Sequence, residues 1–112
     1  MKKNILIIGS NSRIGSEVIK LSNHKGDNIF ATSRSPIDIP VNKFFQLDPN
    51  EDLSDLDSLP ESIDALVYCP GSISLKSIQR MNISDIREDF RINFEGAFHI
   101  IKKVLPNLKK DD

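Results

Sequence analysis

The stretch ILIIGSNSRIGSEV, residues 5–18, joins four consecutive aliphatic residues to a glycine, three small polar residues, an arginine and a second glycine before an apolar pattern resumes. A short aliphatic run ending at glycine is the pattern of a strand covered on both faces. From residue 13 to 22 the spacing becomes helical: Ile14, Val18 and Leu21 recur at intervals of four and three, and the Ser-Asn-Ser triplet before them offers N-caps. A strand, a glycine turn and a helix start form a candidate phosphate cradle, because the first turn of a helix presents unpaired N–H groups and a positive dipole end.

The rest of the chain repeats this alternation. NIFATS at 28–33 and KFFQLD at 43–48 read as a second and third strand, and the segment between them holds two prolines and forms no regular helix, so a parallel crossover there is brief. Leu53, Leu56 and Leu59 mark a short helix with acids toward its start, and IDALVYC at 63–69 is a fourth strand stopped by Pro70 and Gly71. From about Ser84 the spacing predicts a long helix over 84–108, with Ile86, Phe90, Phe94, Ala97, Ile101, Leu105 and Leu108 along one face and Pro106 bending its last turn.

Composition sets the outer limits. The 112 residues, 38% of them hydrophobic, suit one compact domain. Fifteen basic and sixteen acidic residues are scattered without a long run of either sign, which argues against nucleic-acid or anionic-membrane partners. Near the amino terminus only Ile5 to Ile8 are consecutively apolar, short of a signal-peptide core, and no stretch approaches a membrane span; the expected location is cytoplasmic. A single Cys69 excludes an internal disulfide, and His24 and His99 have no ligand-spaced partner, so no metal site is expected.

This order predicts a Rossmann-like, doubly wound α/β fold of about four parallel strands in the order 3-2-1-4, incomplete at its carboxyl side, where strand four is a bare edge and the long helix has an apolar face too rich to leave wet. Ligands of such sheets bind at the carboxyl ends of the strands. Gly9 and Ser10, Ser33 and Arg34, Asp48, and Pro70 and Gly71 follow the four strands in turn, so four strand ends converge on one crevice.

On these residues the sequence resembles the short-chain dehydrogenases/reductases, whose first turn reads Gly-x-x-x-Gly-x-Gly. Gly9 and Gly15 match the outer glycines, and Arg13 replaces the middle one. The resemblance spans Asn4 to about Leu108 and covers the first half of that family's fold, which implies that 1–112 is the N-terminal part of a single NAD(P)-binding Rossmann domain. It implies a phosphate turn of Gly9, Ser10, Ser12, Arg13, Ile14 and Gly15, with the arginine contributing charge in place of close backbone approach. Arg34, in TSRS with no acid at Ser33, matches the basic residue of members that prefer the phosphorylated cofactor, so NADP(H) is expected over NAD(H); a guanidinium forks onto phosphate where a carboxylate would repel it. Asp48 matches an aspartate that holds adenine, although an Asp capping the turn at Pro49 has the same appearance. Gly71 is retained from an Asn-Asn-Ala-Gly motif whose asparagines are here Tyr68 and Cys69, a departure from the family at the side chains that tie its strand to the central sheet. Cys69 reads as a small packing residue, since no base stands beside it in sequence.

Asn93, in INFEGAF, falls on the apolar stripe, where a buried amide needs partners. It matches the asparagine of the family's catalytic tetrad, which bends its helix and holds a water in a proton relay. The tetrad's serine and Tyr-x-x-x-Lys have no counterpart in these residues. The implied activity is hydride transfer between nicotinamide and a carbonyl or alcohol substrate, with this chain supplying only the cofactor half and inactive alone. A homo-oligomer through the helix 84–108 is the implied partner. The alternative is a non-catalytic dinucleotide-binding sensor or interaction module on the same fold, which predicts a natural stop near Asp112 and a partner over the long helix. A phosphoacceptor receiver and a P-loop nucleotidase are disfavoured, because strand one ends without acids and no Gly-Lys-Ser/Thr follows the first turn.

Overall fold

The computed structural model describes residues 2–71 and 75–109. Four parallel strands, β1 (Asn4–Ile8), β2 (Asn28–Ser33), β3 (Lys43–Gln46) and β4 (Ala65–Tyr68), form one sheet in the order β3-β2-β1-β4. The expected topology is therefore observed, with β3 and β4 shorter than the apolar runs that announced them. Leu47 and Asp48 continue past the end of β3, and Ile63 pairs instead with Leu108 in an isolated parallel bridge.

Alternation along β1 divides the core in two. Leu6 and Ile8 face Phe45, Leu56, Leu59, Ile63, Ile100 and Val104, while Ile5 and Ile7 face Ile19, Ile29 and Ala31. On the second face Ile37, Ile39 and Val41, from the proline-containing link, pack beside the first helix. The brief crossover thus does the covering that a helix would otherwise do, and Asn42 Oδ1 ties its end to Ile29 N–H at 2.7 Å.

The first helix, α1 (Arg13–Lys25), is capped by Ser12, whose side chain accepts from Gly15 N–H, and ends at Gly26 in the left-handed conformation. It is three residues longer than expected. Its packing face also differs: Gly15 and Ile19 are buried, whereas Ile14 and Leu21 are exposed at 71% and 64%. The four-and-three spacing of Ile14, Val18 and Leu21 traces a stripe beside the real one. The packed face admits only glycine at residue 15, because a Cβ there would stand 2.7 Å from the Gly9 carbonyl.

The long helix is corrected in three respects. It starts earlier, at α2 (Ile83–Phe90), where Asn82 is the cap and donates its N–H to Asp85 at 2.9 Å. It is interrupted by a wide π-type turn over Arg91–Glu95, resumes as α3 (Gly96–Val104) and closes in a 3-10 turn, Leu105–Asn107, containing Pro106. Its packed face is Gly96, Ile100 and Val104; Ile86, Phe90, Phe94, Phe98, Ile101 and Leu105 lie between 47% and 60% exposed, with Phe90 and Phe94 stacked at 5.0 Å. Asn93 is accordingly exposed and not embedded in an apolar face. Among the described residues no helix is long and apolar enough to cross a membrane, and no cluster of metal-ligating side chains occurs.

Candidate functional site

A cleft of about 430 Å³ opens over the carboxyl ends of all four strands. Gly9, Arg34, Asp48 and Gly71, one from beyond each strand, line it together with Ser12. Those five expected site residues meet there. Ser10, Arg13, Ile14, Gly15 and Asn93 are not on its wall.

The turn after β1 is built backbone first. Gly9 has φ +76°, and a Cβ on it would stand 2.8 Å from the ring nitrogen and Cδ of Pro70, so glycine is required both for conformation and for space. The N–H groups of Gly9 and Ser10 and the Ser10 hydroxyl all donate to the Thr32 carbonyl, at 3.0, 2.9 and 2.8 Å. Ser10 is buried and spends its side chain inside the loop. Ser12 N–H returns to the Gly9 carbonyl, and Gly15 N–H is taken by Ser12 Oγ. What the loop offers outward is the first turn of α1, where the N–H groups of Arg13 and Ile14 have no intrahelical partner. Thr32 Oγ1, on the cleft wall, is buried with no hydrogen-bond partner among the described residues.

The strand ends opposite supply charge. Ser33 is buried, its Oγ accepting from Ser35 N–H at 3.2 Å, while Arg34 is exposed and its carbonyl is held by Gln46. Asp48 acts as the turn cap that its place before Pro49 allows, accepting from Asn50 N–H at 2.8 Å. Arg91, which no sequence pattern singles out, also lines the cleft: its Nε and Nη2 fork onto Glu88 at 3.1 and 2.9 Å. That fork holds the Glu88 carboxyl below its ordinary range, with Arg34 a smaller contributor, so Glu88 lies within the influence of both cations. In sequence Glu88 and Arg91 look like a solvated pair at i and i+3.

Tyr68 and Cys69 stand where β4 meets the cleft. Burial pushes the Cys69 thiol up, partly offset by a hydrogen bond with Ser12, which is the environment of a packing residue and not of an activated thiolate. Burial and then the Asp48 charge raise the Tyr68 hydroxyl above its ordinary 10.0. Tyr68 is the only tyrosine and tryptophan is absent, so phenolate absorbance reports one group. We expect it to titrate above 10 in the folded chain and at its ordinary value in denaturant. The unfolded state then loses the proton first, so this contribution to stability is complete below pH of about 10 and is lost as pH rises through the folded value. A folded-state value at or below the denatured one would contradict this arrangement.

No family model matches the chain. An uncharacterized oxidoreductase of Schizosaccharomyces pombe is 25% identical over 117 residues, covering 96% of this chain and 40% of that protein. A short-chain dehydrogenase family protein from Francisella tularensis superposes with a TM-score of 0.83 at 21% identity, over 97% of this chain and 48% of that one. A short-chain dehydrogenase from Leptospira borgpetersenii with bound NAD+ gives 0.80 at 17% identity, over 91% and 44%. ElxO with NADPH bound gives 0.74 at 25% identity, over 94% and 50%. The chain spans half or less of the length of each of these proteins. It has the Rossmann-like fold of the short-chain dehydrogenases, matched along nearly its whole length.

Proposed function

We propose that the chain forms the dinucleotide-binding part of an NADP(H)-dependent oxidoreductase that moves a hydride between nicotinamide and a carbonyl or alcohol. The observation that carries this reading is the convergence on one cleft of Arg34 and the Gly9 and Ser12 turn, which leads into the open first turn of α1, with no carboxylate at the end of β2. The cleft fits such a group: a Cβ at Gly9 would collide with Pro70 and one at Gly15 with the Gly9 carbonyl, so the turn stays free of side chains at both positions, and Thr32 Oγ1 has an unused hydrogen-bonding position.

In this reading the N–H groups of Arg13 and Ile14 meet the pyrophosphate at the positive end of α1, with the Arg13 side chain adding charge from its exposed position. Arg34 takes the 2'-phosphate through charge-assisted hydrogen bonds. Asp48, with one oxygen already in its turn, uses the other for the adenine amino group, and Gly71 lets the backbone lie against the ribose. Bound nicotinamide supplies the hydride chemistry. Asn93, beside Gly71, orients a water for proton relay in the whole enzyme.

The test is direct titration of the chain with NADPH and NADH. NADPH is expected to bind more tightly, and Arg34→Asp is expected to weaken it by roughly tenfold or more while sparing NADH, the size of one charge-assisted phosphate contact. Equal affinities in the parent would refute the phosphate preference. Failure of both to bind at millimolar concentration would refute the cofactor reading.

A further inference from the structure

Irregular helix persists only where neighbours hold it, and the wide turn at Arg91–Glu95 is held from the cleft side. There Gly96 N–H reaches back five residues to the Arg91 carbonyl. A turn of this kind disturbs the regular ladder and leaves carbonyls that need other donors. Two donors arrive from strand ends far away in sequence: Asn50 Nδ2 gives to the Arg91 carbonyl at 3.1 Å, and the Tyr68 hydroxyl gives to the Ile92 carbonyl at 3.0 Å.

Tyr68 reaches that carbonyl because residue 96 is glycine. A Cβ there would collide with the Tyr68 hydroxyl oxygen and stand 3.2 Å from Pro49 Cβ. Glycine within a helix is ordinarily unfavourable by about 1 kcal/mol relative to alanine. Here it makes the notch that seats the phenol. The turn so held carries Arg91 and Ile92 onto the cleft wall and sets Asn93 Oδ1 3.3 Å from where a Cβ of Gly71 would lie.

We infer that Tyr68 is a positioning residue: its hydroxyl, seated in the Gly96 notch, fixes the wide turn and thereby places Arg91 on the cleft wall and Asn93 beside Gly71. Its effect on cofactor binding rests on the function proposed above; its effect on the turn does not. The phenol proton is already given to a helix carbonyl, so this tyrosine orients backbone and is no proton donor to a ligand.

Tyr68→Phe removes the hydroxyl and leaves the ring. In the full chain we expect hydrogen exchange at the Gly96 amide to accelerate at least about tenfold, the Asn93 side-chain amide resonances to shift, and the amides of β1 to keep their protection. Asn50→Ala, which removes the second donor, should accelerate the same Gly96 amide. Gly96→Ala expels the hydroxyl by another route, so NADPH affinity of the Tyr68→Phe/Gly96→Ala double variant should be no weaker than that of the weaker single variant. Unchanged Gly96 exchange and Asn93 resonances in Tyr68→Phe would overturn the inference, as would fully additive losses in the double variant. If Tyr68→Phe does not fold, Gly96→Ala, which displaces the hydroxyl and keeps the phenol, decides: unchanged Asn93 resonances there would overturn the inference. If the parent binds no NADPH, the cofactor reading fails while the exchange and resonance data still judge the turn.

Discussion

Gly9→Ala is expected to destabilise the chain by about 3 kcal/mol, adding the roughly 1–2 kcal/mol of a left-handed alanine to the roughly 1–3 kcal/mol of forcing a methyl into occupied space. The occupied space is Pro70, whose ring nitrogen and Cδ lie 2.8 Å from the position the new Cβ would take. Against a total stability of about 5–15 kcal/mol this is a large loss. It also falls on function, because relief of the clash must move either the β1 turn or the Pro70–Gly71 segment, and both line the cleft. Gly26→Ala is the matched control. Gly26 has φ +80° and nothing within 4 Å of the place an added methyl would take, so it carries the conformational penalty alone, roughly 1–2 kcal/mol. Chemical denaturation of the two variants separates backbone strain from the Pro70 contact. Equal losses would mean that Pro70 yields freely and that the turn is not held from β4.

That pair of glycines also marks what is legible in the sequence. Aliphatic runs ending at Gly9 and Pro70 identify β1 and β4, β-branched and aromatic residues ended by polar turns identify β2 and β3, and a brief proline-containing crossover is enough to order them. The convergence of Gly9, Arg34, Asp48 and Gly71 follows from topology alone, since parallel strands end on the same side of a sheet. What sequence does not reveal depends on partners remote along the chain. The resemblance at Asn93 implies a bend in this helix, and the wide turn lies there, but the Tyr68 and Asn50 donors that hold it through Ile92 and Arg91 are announced by no local feature of residues 84–108. Arg91 reaches the cleft through that turn and is invisible in sequence for the same reason. Ser10 and Asp48 follow the ends of β1 and β3, but Ser10 is turned away from the cleft wall, and the loop and turn around them engage the Ser10 hydroxyl and one Asp48 oxygen. Local hydrogen bonding competes with ligand binding for such short polar side chains, and spacing does not say which wins.

Helix faces are the other point at which periodicity misleads, and adjacent isoleucines in α3 test the correction. Ile100 is fully buried against Leu6 and Ile8, whereas Ile101, on the stripe that the periodicity favours, is 47% exposed. Ile100→Ala is expected to cost about 3 kcal/mol, within the roughly 2–5 kcal/mol range for emptying a packed aliphatic site, and to lower the unfolding midpoint accordingly. Ile101→Ala should cost well under about 1 kcal/mol, since little apolar area leaves the core and alanine is the better helix former. The two substitutions remove the same atoms from the same helix, so propensity cancels in their comparison and only packing remains. If the losses were equal, or larger for Ile101, α3 would be rotated from the orientation described. Gly96 could not then seat Tyr68, and the wide turn would lose one of the two donors that hold Arg91 on the cleft wall and Asn93 beside Gly71.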